Sequence, residues 1–156
     1  MTQPTVLQPG EPAAQLGPID HVAVVVRSIE ESLPRYRELF GLESIERPIE
    51  MPGQAVRVVF LATGPEPAAR IELIEPTDEG SGVARFLAAR GEGLHHVCLR
   101  SADLPSDLTA LAAAEAQLID AEPRPGAHGM VAFIHPSTLN GVLWELIAAQ
   151  EIQRDE

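Results

Sequence analysis

Apolar residues recur along this chain at two spacings, one typical of strands and one typical of helices. The alternation over residues 19–26 (IDHVAVVV) predicts a strand. Apolar residues then follow at helical spacing, with Ser28 as the expected N-terminal cap and Gly41 as the expected stop. The first half is completed by two further strand-like runs, at 56–63 and 70–76, and by a short helix at 83–91.

The second half of the chain repeats this order. A strand is expected at 94–100, followed by a helix that Asp103 can cap. Leu118 begins a short strand, and two longer strands are expected at 131–136 and 141–148. Each half therefore reads β-α-β-β-β, which predicts an α+β fold of two similar modules, at about 18–92 and 93–148, in a single domain.

When the two halves are aligned, a histidine and a glutamate recur at equivalent positions. IDHVAV aligns with LHHVCL, which places Asp20 on His95 and His21 on His96. IELI at 71–74 aligns with WELI at 144–147, which places Glu72 on Glu145. The separation between histidine and glutamate is 51 residues in the first half and 49 in the second. Two modules related by a pseudo-twofold axis would bring His21, Glu72, His96 and Glu145 to one central place.

Glutamates within apolar strands need a chemical reason to be there, because burying an unpaired carboxylate costs several kcal/mol. Two histidines and two glutamates suit a divalent ion of intermediate softness, such as Co²⁺, Ni²⁺, Mn²⁺, Fe²⁺ or Zn²⁺. The alternative is a metal-free structural relic, in which each histidine is simply hydrogen-bonded. Because strand side chains alternate between faces, His95 is expected to face away from the metal, in a packing or supporting role.

Composition and charge exclude several classes of function. The formal charge is −12 and there is no lysine, which excludes a lysine Schiff base and argues against nucleic-acid binding. The single cysteine, Cys98, cannot form an internal disulfide, so a cytoplasmic location is expected. No apolar stretch approaches the roughly 20 residues of a membrane helix. Residues 1–17 lack the features of a secretion signal and are expected to be a flexible tail, as are residues 149–156.

Several segments together resemble one known family. They are IDHVAVVV, FGLE (40–43), RIELIEP (70–76), VARFLAARGEGLHHVCL (83–99), EPRPGAHG (122–129) and FIHPSTLNGVLWEL (133–146). With these segments the chain resembles the vicinal oxygen chelate superfamily of glyoxalases, bleomycin resistance proteins and dioxygenases. Within that superfamily it is most similar to the methylmalonyl-CoA epimerases. The resemblance implies the glyoxalase-like fold, in which two βαβββ modules pair around a central metal.

The resemblance also implies a ligand set and a reaction. The family's metal ligands fall on His21, Glu72, His96 and Glu145, and Glu145 is also a candidate catalytic acid or base. One divalent ion is expected, Co²⁺ in the first place, with Ni²⁺, Mn²⁺, Zn²⁺ or Mg²⁺ as alternatives. The implied activity is epimerisation of methylmalonyl-CoA or a related branched acyl-CoA by removal and return of the C2 proton through a metal-stabilised enolate. The family further suggests a homodimer.

Two positions depart from the family pattern. Val58 stands where some members carry a second acid/base glutamate, which leaves Glu50, His128 or a water as candidates for that role. Ser137 stands where a lysine often follows the HP pair, so a contact to the anionic CoA is in question.

Other functions on the same fold are the alternatives. The nearest is a glyoxalase I-like isomerase or lyase. A dioxygenase would need an open position that a fourth ligand, Glu72, blocks. A non-catalytic ligand-binding protein would not need the four ligands.

Overall fold

The computed structural model describes residues 10–149. Most of the expected N-terminal tail, residues 1–9, and nearly all of the C-terminal tail, residues 150–156, lie outside the described residues. The helices are α1 Ile29–Phe40, α2 Gly82–Arg90 and α3 Leu104–Ala113. The strands are β1 Leu16–Val25, β2 Ile49–Met51, β3 Val56–Ala62, β4 Arg70–Pro76, β5 Gly93–Ser101, β6 Arg124–Pro125, β7 Met130–Ile134 and β8 Leu143–Ala148.

Capping residues fix both ends of α1 and the start of α3. The Ser28 hydroxyl accepts a hydrogen bond from the backbone N–H of Glu31 at the start of α1. Gly41 ends this helix in the left-handed conformation, at φ 67°, which costs little without a Cβ. At the start of α3, Asp103 caps the N–H of Ser106. These three residues confirm the helix signals in the sequence.

The eight strands form one mixed sheet, a half-barrel in the order β2-β3-β4-β1-β5-β8-β7-β6. In each module the first strand is parallel to the last, β1 to β4 and β5 to β8. The two modules join through the antiparallel pair β1–β5 at the centre of the sheet. This arrangement confirms the predicted α+β fold of two βαβββ halves.

The shortest strands differ from expectation. Sequence patterning did not locate β2, which has only three residues and pairs with β3. The strand expected from Leu118 is a single bridge from Leu118 to Ile134, and the short strand of this region is β6 at Arg124–Pro125. Periodicity cannot be read from two or three residues, so only the partner strand defines such elements.

Strand alternation separates a helix-covered outer face from an inner face that carries the polar residues. On the outer face, α1 packs through Ile29 and α3 packs through Leu104 and Leu108. On β8, Leu146 lies in the outer core with α3, while Glu145 lines a cavity on the inner face. Within residues 10–149, no helix has the length and apolar character needed to span a bilayer.

Leu146→Ala tests the outer core. Leu146 is fully buried, so its truncation is expected to lower the free energy of unfolding by about 2–5 kcal/mol in urea denaturation. Leu139, which is 55% exposed, provides the control, and its truncation should change stability by less than about 0.5 kcal/mol. Equal losses in the two variants would contradict the assignment of Leu146 to the core.

Candidate functional site

Four buried side chains from the four central strands converge on the inner face. His21 lies on β1, Glu72 on β4, His96 on β5 and Glu145 on β8. Their exposed fractions are 2%, 7%, 4% and 6%. In the register, Glu72 lies beside Ala23 and Glu145 lies beside Cys98, which are equivalent positions in the two modules. The structure therefore brings together all four residues that the internal repeat selected.

The distances within this cluster are those of side chains aimed at a common point. The Nε2 atom of His21 lies 3.3 Å from Oε2 of Glu72 and 3.2 Å from Oε1 of Glu145. The Nε2 atom of His96 lies 3.5 Å from the other oxygen of Glu145. Ligand atoms of His21, Glu72 and His96 all lie within 4.8 Å of one another.

A β-bulge in each central strand places a polar residue next to each histidine. In the β1–β5 ladder, Asp20 is the extra residue on one strand and His95 is the extra residue on the other. Asp20 Oδ2 lies 2.7 Å from Nδ1 of His21, and His95 Nδ1 lies 2.9 Å from Nδ1 of His96. Strict alternation would turn His95 away from the site, but the bulge overrides it, and His95 also lines the cavity.

These contacts orient both imidazoles. Because Nδ1 of each histidine is engaged by the residue before it, Nε2 points into the cluster. The phenyl rings of Phe60 and Phe133 pack edge-on against His21 and His96, with ring centroids 5.3 and 5.4 Å apart. The two halves of the site are therefore built alike, except that a carboxylate supports His21 and an imidazole supports His96.

Asp20 also holds two arginines. Arg70 Nη2 and Arg100 Nε each donate to an Asp20 oxygen at 3.0 Å. Burial alone would raise the pKa of Asp20, but the hydrogen bonds from His21 and Arg100 hold that pKa well below its usual range. Asp20 is therefore an ionised residue that ties β1 to the start of β4 and the end of β5.

Burial and proximity shift the pKa values within the cluster in different directions. Burial lowers the pKa of His96 to about 3 and raises the pKa of Glu72 to about 8. For His21, burial is outweighed by the Asp20 hydrogen bond and the two nearby glutamates, which raise its pKa to about 10. Glu145 is buried as well, but the adjacent His21 and His96 hold its pKa below its usual range.

The donor set fits a divalent cation. Among the described residues, the Nε2 atoms of His21 and His96 are buried without a hydrogen-bond partner. A buried polar atom without a hydrogen-bond partner raises the free energy of the folded state. Here both Nε2 atoms point at carboxylate oxygens. Two imidazole nitrogens and two carboxylates are ligands for the ions expected from the sequence, whereas Asp20 is already committed to its arginines.

Cys98 lies beneath this cluster and is not a comparable ligand. Burial raises the pKa of the Cys98 thiol, so the sulfur keeps its proton. The side chain is fully buried and packs with Val131 and Ile147. It behaves as a small core residue.

The cavity above the cluster has mainly apolar walls. Val58, the position that departs from the family pattern, lines it. His128 also lines it, with Nε2 hydrogen-bonded to Glu46 at 2.5 Å and its ring 4.4 Å from that of Phe60. Glu50 pairs with Arg57 on the opposite face of β2, since its neighbour Ile49 is the residue that lies beside Val58.

Comparison with known proteins identifies the family. The model of the glyoxalase/bleomycin resistance protein/dioxygenase superfamily matches residues 20–133. The chain belongs to this superfamily. The resemblance and fold predicted from the sequence are thereby confirmed.

The relatives within the superfamily include epimerases. The Cereibacter sphaeroides ethylmalonyl-CoA/methylmalonyl-CoA epimerase is 37% identical over 134 residues, which cover 84% of this chain and 97% of that protein. The mitochondrial methylmalonyl-CoA epimerase of Dictyostelium discoideum is 34% identical over 133 residues, which cover 84% of this chain and 78% of that protein. The expected enzyme class, racemase/epimerase, is the class of these relatives.

A solved structure extends the similarity to the fold. A serine-to-threonine variant of the Streptomyces coelicolor methylmalonyl-CoA epimerase, in complex with 2-nitronate-propionyl-CoA, superposes with a TM-score of 0.82 at 30% identity. The match covers 88% of this chain and 97% of that chain.

The sequence predicted a supporting role for His95 but did not reveal Asp20, Arg70 and Arg100 as residues that support the cluster. Asp20 aligned with His95 in the internal repeat, and that equivalence was the available signal for their shared role. Arg70 and Arg100 gave no such signal, because only the strand register brings them to Asp20. The His128–Glu46 pair joins residues 82 positions apart.

Asp20→Asn tests the buried ion-pair network. Removing the charge leaves Arg70 and Arg100 without their carboxylate, so the free energy of unfolding at neutral pH should fall by about 3–5 kcal/mol. The control is Glu38→Gln, which breaks the exposed pair with Arg35 and should cost about 0–1 kcal/mol. A loss for Asp20→Asn no larger than the control's would refute a stabilising role for the network.

Proposed function

We propose that this protein is a metal-dependent epimerase of methylmalonyl-CoA or a related branched acyl-CoA. The observation that carries the proposal is the convergence of two orphan imidazole Nε2 atoms and two buried carboxylates at the floor of a largely apolar cavity. The names of the epimerase relatives supply the substrate class.

His21, Glu72, His96 and Glu145 would hold the ion. When bound, a divalent ion supplies positive charge where negative charge develops on the substrate's carbonyl and carboxylate oxygens. Asp20 and His95 fix the two imidazoles through Nδ1, so Nε2 faces the centre without rearrangement. Phe60 and Phe133 exclude water from the sides of the cluster.

Glu145 is assigned the proton transfer on one face of the substrate. Its two oxygens lie near different histidines, Oε1 near His21 and Oε2 near His96. The neighbouring imidazoles favour the ionised carboxylate, which is the form that accepts a proton from C2.

His128 is assigned the transfer on the other face. Of the two side chains that are candidates for this role, Glu50 lies on the face of the sheet opposite the cavity, whereas His128 lines the cavity. The Glu46 carboxylate holds the His128 ring in place through Nε2. Nδ1 is the atom assigned to move the proton. Its contact with Arg70, at 3.4 Å, is longer than the contact between Nε2 and Glu46.

The proposal also covers the domain boundaries, the oligomeric state and the cellular location of the protein. Residues 18–148 act as one unit, because each module supplies half of the cluster. A homodimer is supported by the exposed Leu39 and Phe40 at the end of α1. A cytoplasmic location is supported by the free thiol of Cys98. Light scattering of the purified protein tests the dimer.

Solvent deuterium exchange tests the proposed reaction. Protein stripped of metal and reloaded with Co²⁺ is mixed with one epimer of methylmalonyl-CoA in D₂O, and mass spectrometry follows C2 beside a chiral readout. The expected result is metal-dependent deuterium uptake with formation of the other epimer. No uptake above the metal-free control would contradict the proposal and make the glyoxalase I-like alternative the next assay.

Glu145→Gln tests the assigned base. The amide cannot accept the C2 proton, so epimerisation should fall by at least about 10²–10⁴-fold. The exposed Glu122→Gln is the control and should retain wild-type turnover. Full activity of Glu145→Gln would exclude Glu145 from proton transfer.

His128→Asn separates the two proton transfers. If His128 serves the opposite face, the variant should still take up deuterium from one epimer while interconversion of epimers slows by about 10²-fold or more. His135→Asn, at an exposed turn, is the matched control. Unchanged interconversion in His128→Asn would assign the second transfer to another group.

A further inference from the structure

Arg70, at the start of β4, contacts both halves of the proposed proton-transfer machinery. Its Nη2 donates to Asp20 at 3.0 Å, and its Nη1 donates to Nδ1 of His128 at 3.4 Å. Its guanidinium carbon lies 4.8 Å from the centroid of the Phe60 ring. Because Asp20 holds His21 through Nδ1, one arginine touches both the support of a cluster histidine and the residue assigned the second transfer.

These contacts hold the Arg70 guanidinium group in a fixed place. The Arg70 side chain is only 14% exposed, and its ion pair with Asp20 is buried. The face of the Phe60 ring covers the planar group. Arg100 also donates to Asp20 at 3.0 Å, so Asp20 is anchored from a second side. The position of Nη1 beside His128 is therefore set by β1, β4 and β5, and not by His128 itself.

The neighbours of the His128 ring select one tautomer. A guanidinium group has donors and no acceptor, so Nδ1 of His128 accepts the Arg70 hydrogen bond through its lone pair. At the other ring nitrogen the Glu46 carboxylate accepts, so Nε2 carries the hydrogen. The two contacts therefore agree on a ring whose Nδ1 is unprotonated.

Arg70 reaches this ring from outside the substrate cavity. His128 lines both the cavity above the cluster and a neighbouring groove, and that groove is the one that Arg70 lines together with Pro67 and Ala149. Arg70 can therefore hold Nδ1 while the cavity is left to the substrate.

We propose that Arg70 is a positioning residue for the second proton transfer, because it keeps Nδ1 of His128 unprotonated and able to accept the C2 proton of one epimer. The inference rests on the proposed function, which assigns this transfer to His128. In the step, the C2–H bond breaks, its electron pair stays on the substrate as the enolate, and the proton moves to Nδ1. The 3.4 Å contact is long for a hydrogen bond and yields to the proton, whereas the shorter pair with Asp20 keeps Arg70 in place.

Nitrogen-15 NMR of the histidine rings at neutral pH tests this assignment, with His128→Asn identifying the His128 signals. In wild type, His128 should show an unprotonated Nδ1 and a protonated Nε2. In Arg70→Met, which keeps an apolar stem over Phe60, loss of the donor should shift the Nδ1 resonance towards the protonated value. Arg100→Met is the matched control, since it removes the other arginine from Asp20 and should leave the His128 resonances as in wild type.

Initial rates of deuterium uptake from each epimer of methylmalonyl-CoA supply a second readout. The epimer whose hydrogen faces His128 is the one whose uptake His128→Asn slows. In Arg70→Met, uptake from that epimer should fall about tenfold or more, while uptake from the other changes less than about twofold. A disturbance of His21 through Asp20 would affect both epimers, and it would appear in Arg100→Met as well. A ratio that changes only in Arg70→Met therefore reports on His128.

The outcomes separate the positioning residue from the reaction. A protonated Nδ1 in wild type, or an unchanged Nδ1 resonance in Arg70→Met, would overturn the role of Arg70. An equal loss of uptake from both epimers, or an Nδ1 shift of the same size in Arg100→Met, would overturn it too. If wild-type protein takes up no deuterium but the Nδ1 resonance shifts only in Arg70→Met, then Arg70 holds the His128 ring and the proposed reaction fails.

Discussion

The antiparallel pairing of β1 with β5 is the constraint on which the rest of the structure depends. This ladder joins the two modules and places Ala23 beside His96 and Cys98 beside His21, so the two histidines lie near each other across the pseudo-twofold axis. The two parallel pairs, β1–β4 and β5–β8, then bring one glutamate to each side. A shift of one residue in the central ladder would turn the histidines to the opposite face, so the register specifies the site.

Two of the register shifts in the same ladder, the bulges at Asp20 and His95, explain how a strand can supply adjacent polar residues to one place. Asp20 and His95 each precede a cluster histidine and each contact its Nδ1 atom. Charge balance then divides the buried acids into two kinds. Asp20 is compensated by Arg70 and Arg100, whereas among the described residues no arginine ion-pairs with Glu72 or Glu145. With both glutamates ionised and both histidines neutral, as ligands must be, the cluster would carry negative charge that a divalent cation would offset.

The sequence predicted the fold and the four converging residues because both follow from the internal repeat. The nearly equal spacing of His21–Glu72 and His96–Glu145 within equivalent strands is enough to place them once the modules pair. What the sequence could not provide are features set by register and by loops. The bulge that returns His95 to the cavity interrupts the alternation on which the expectation rested. Glu46 reaches His128 only because two loops from different modules lie in contact. No local sequence pattern predicts such a contact.

The central claim is that the four buried side chains form one metal centre shared by both modules. Titration of metal-free protein with Co²⁺, followed by visible absorption and by metal analysis after gel filtration, tests it most directly. The account predicts one ion per chain for wild type, with binding lost in both His21→Ala and His96→Ala although both variants remain folded. Binding that survives in either variant, or folded wild-type protein that retains no ion, would contradict a centre built from both halves.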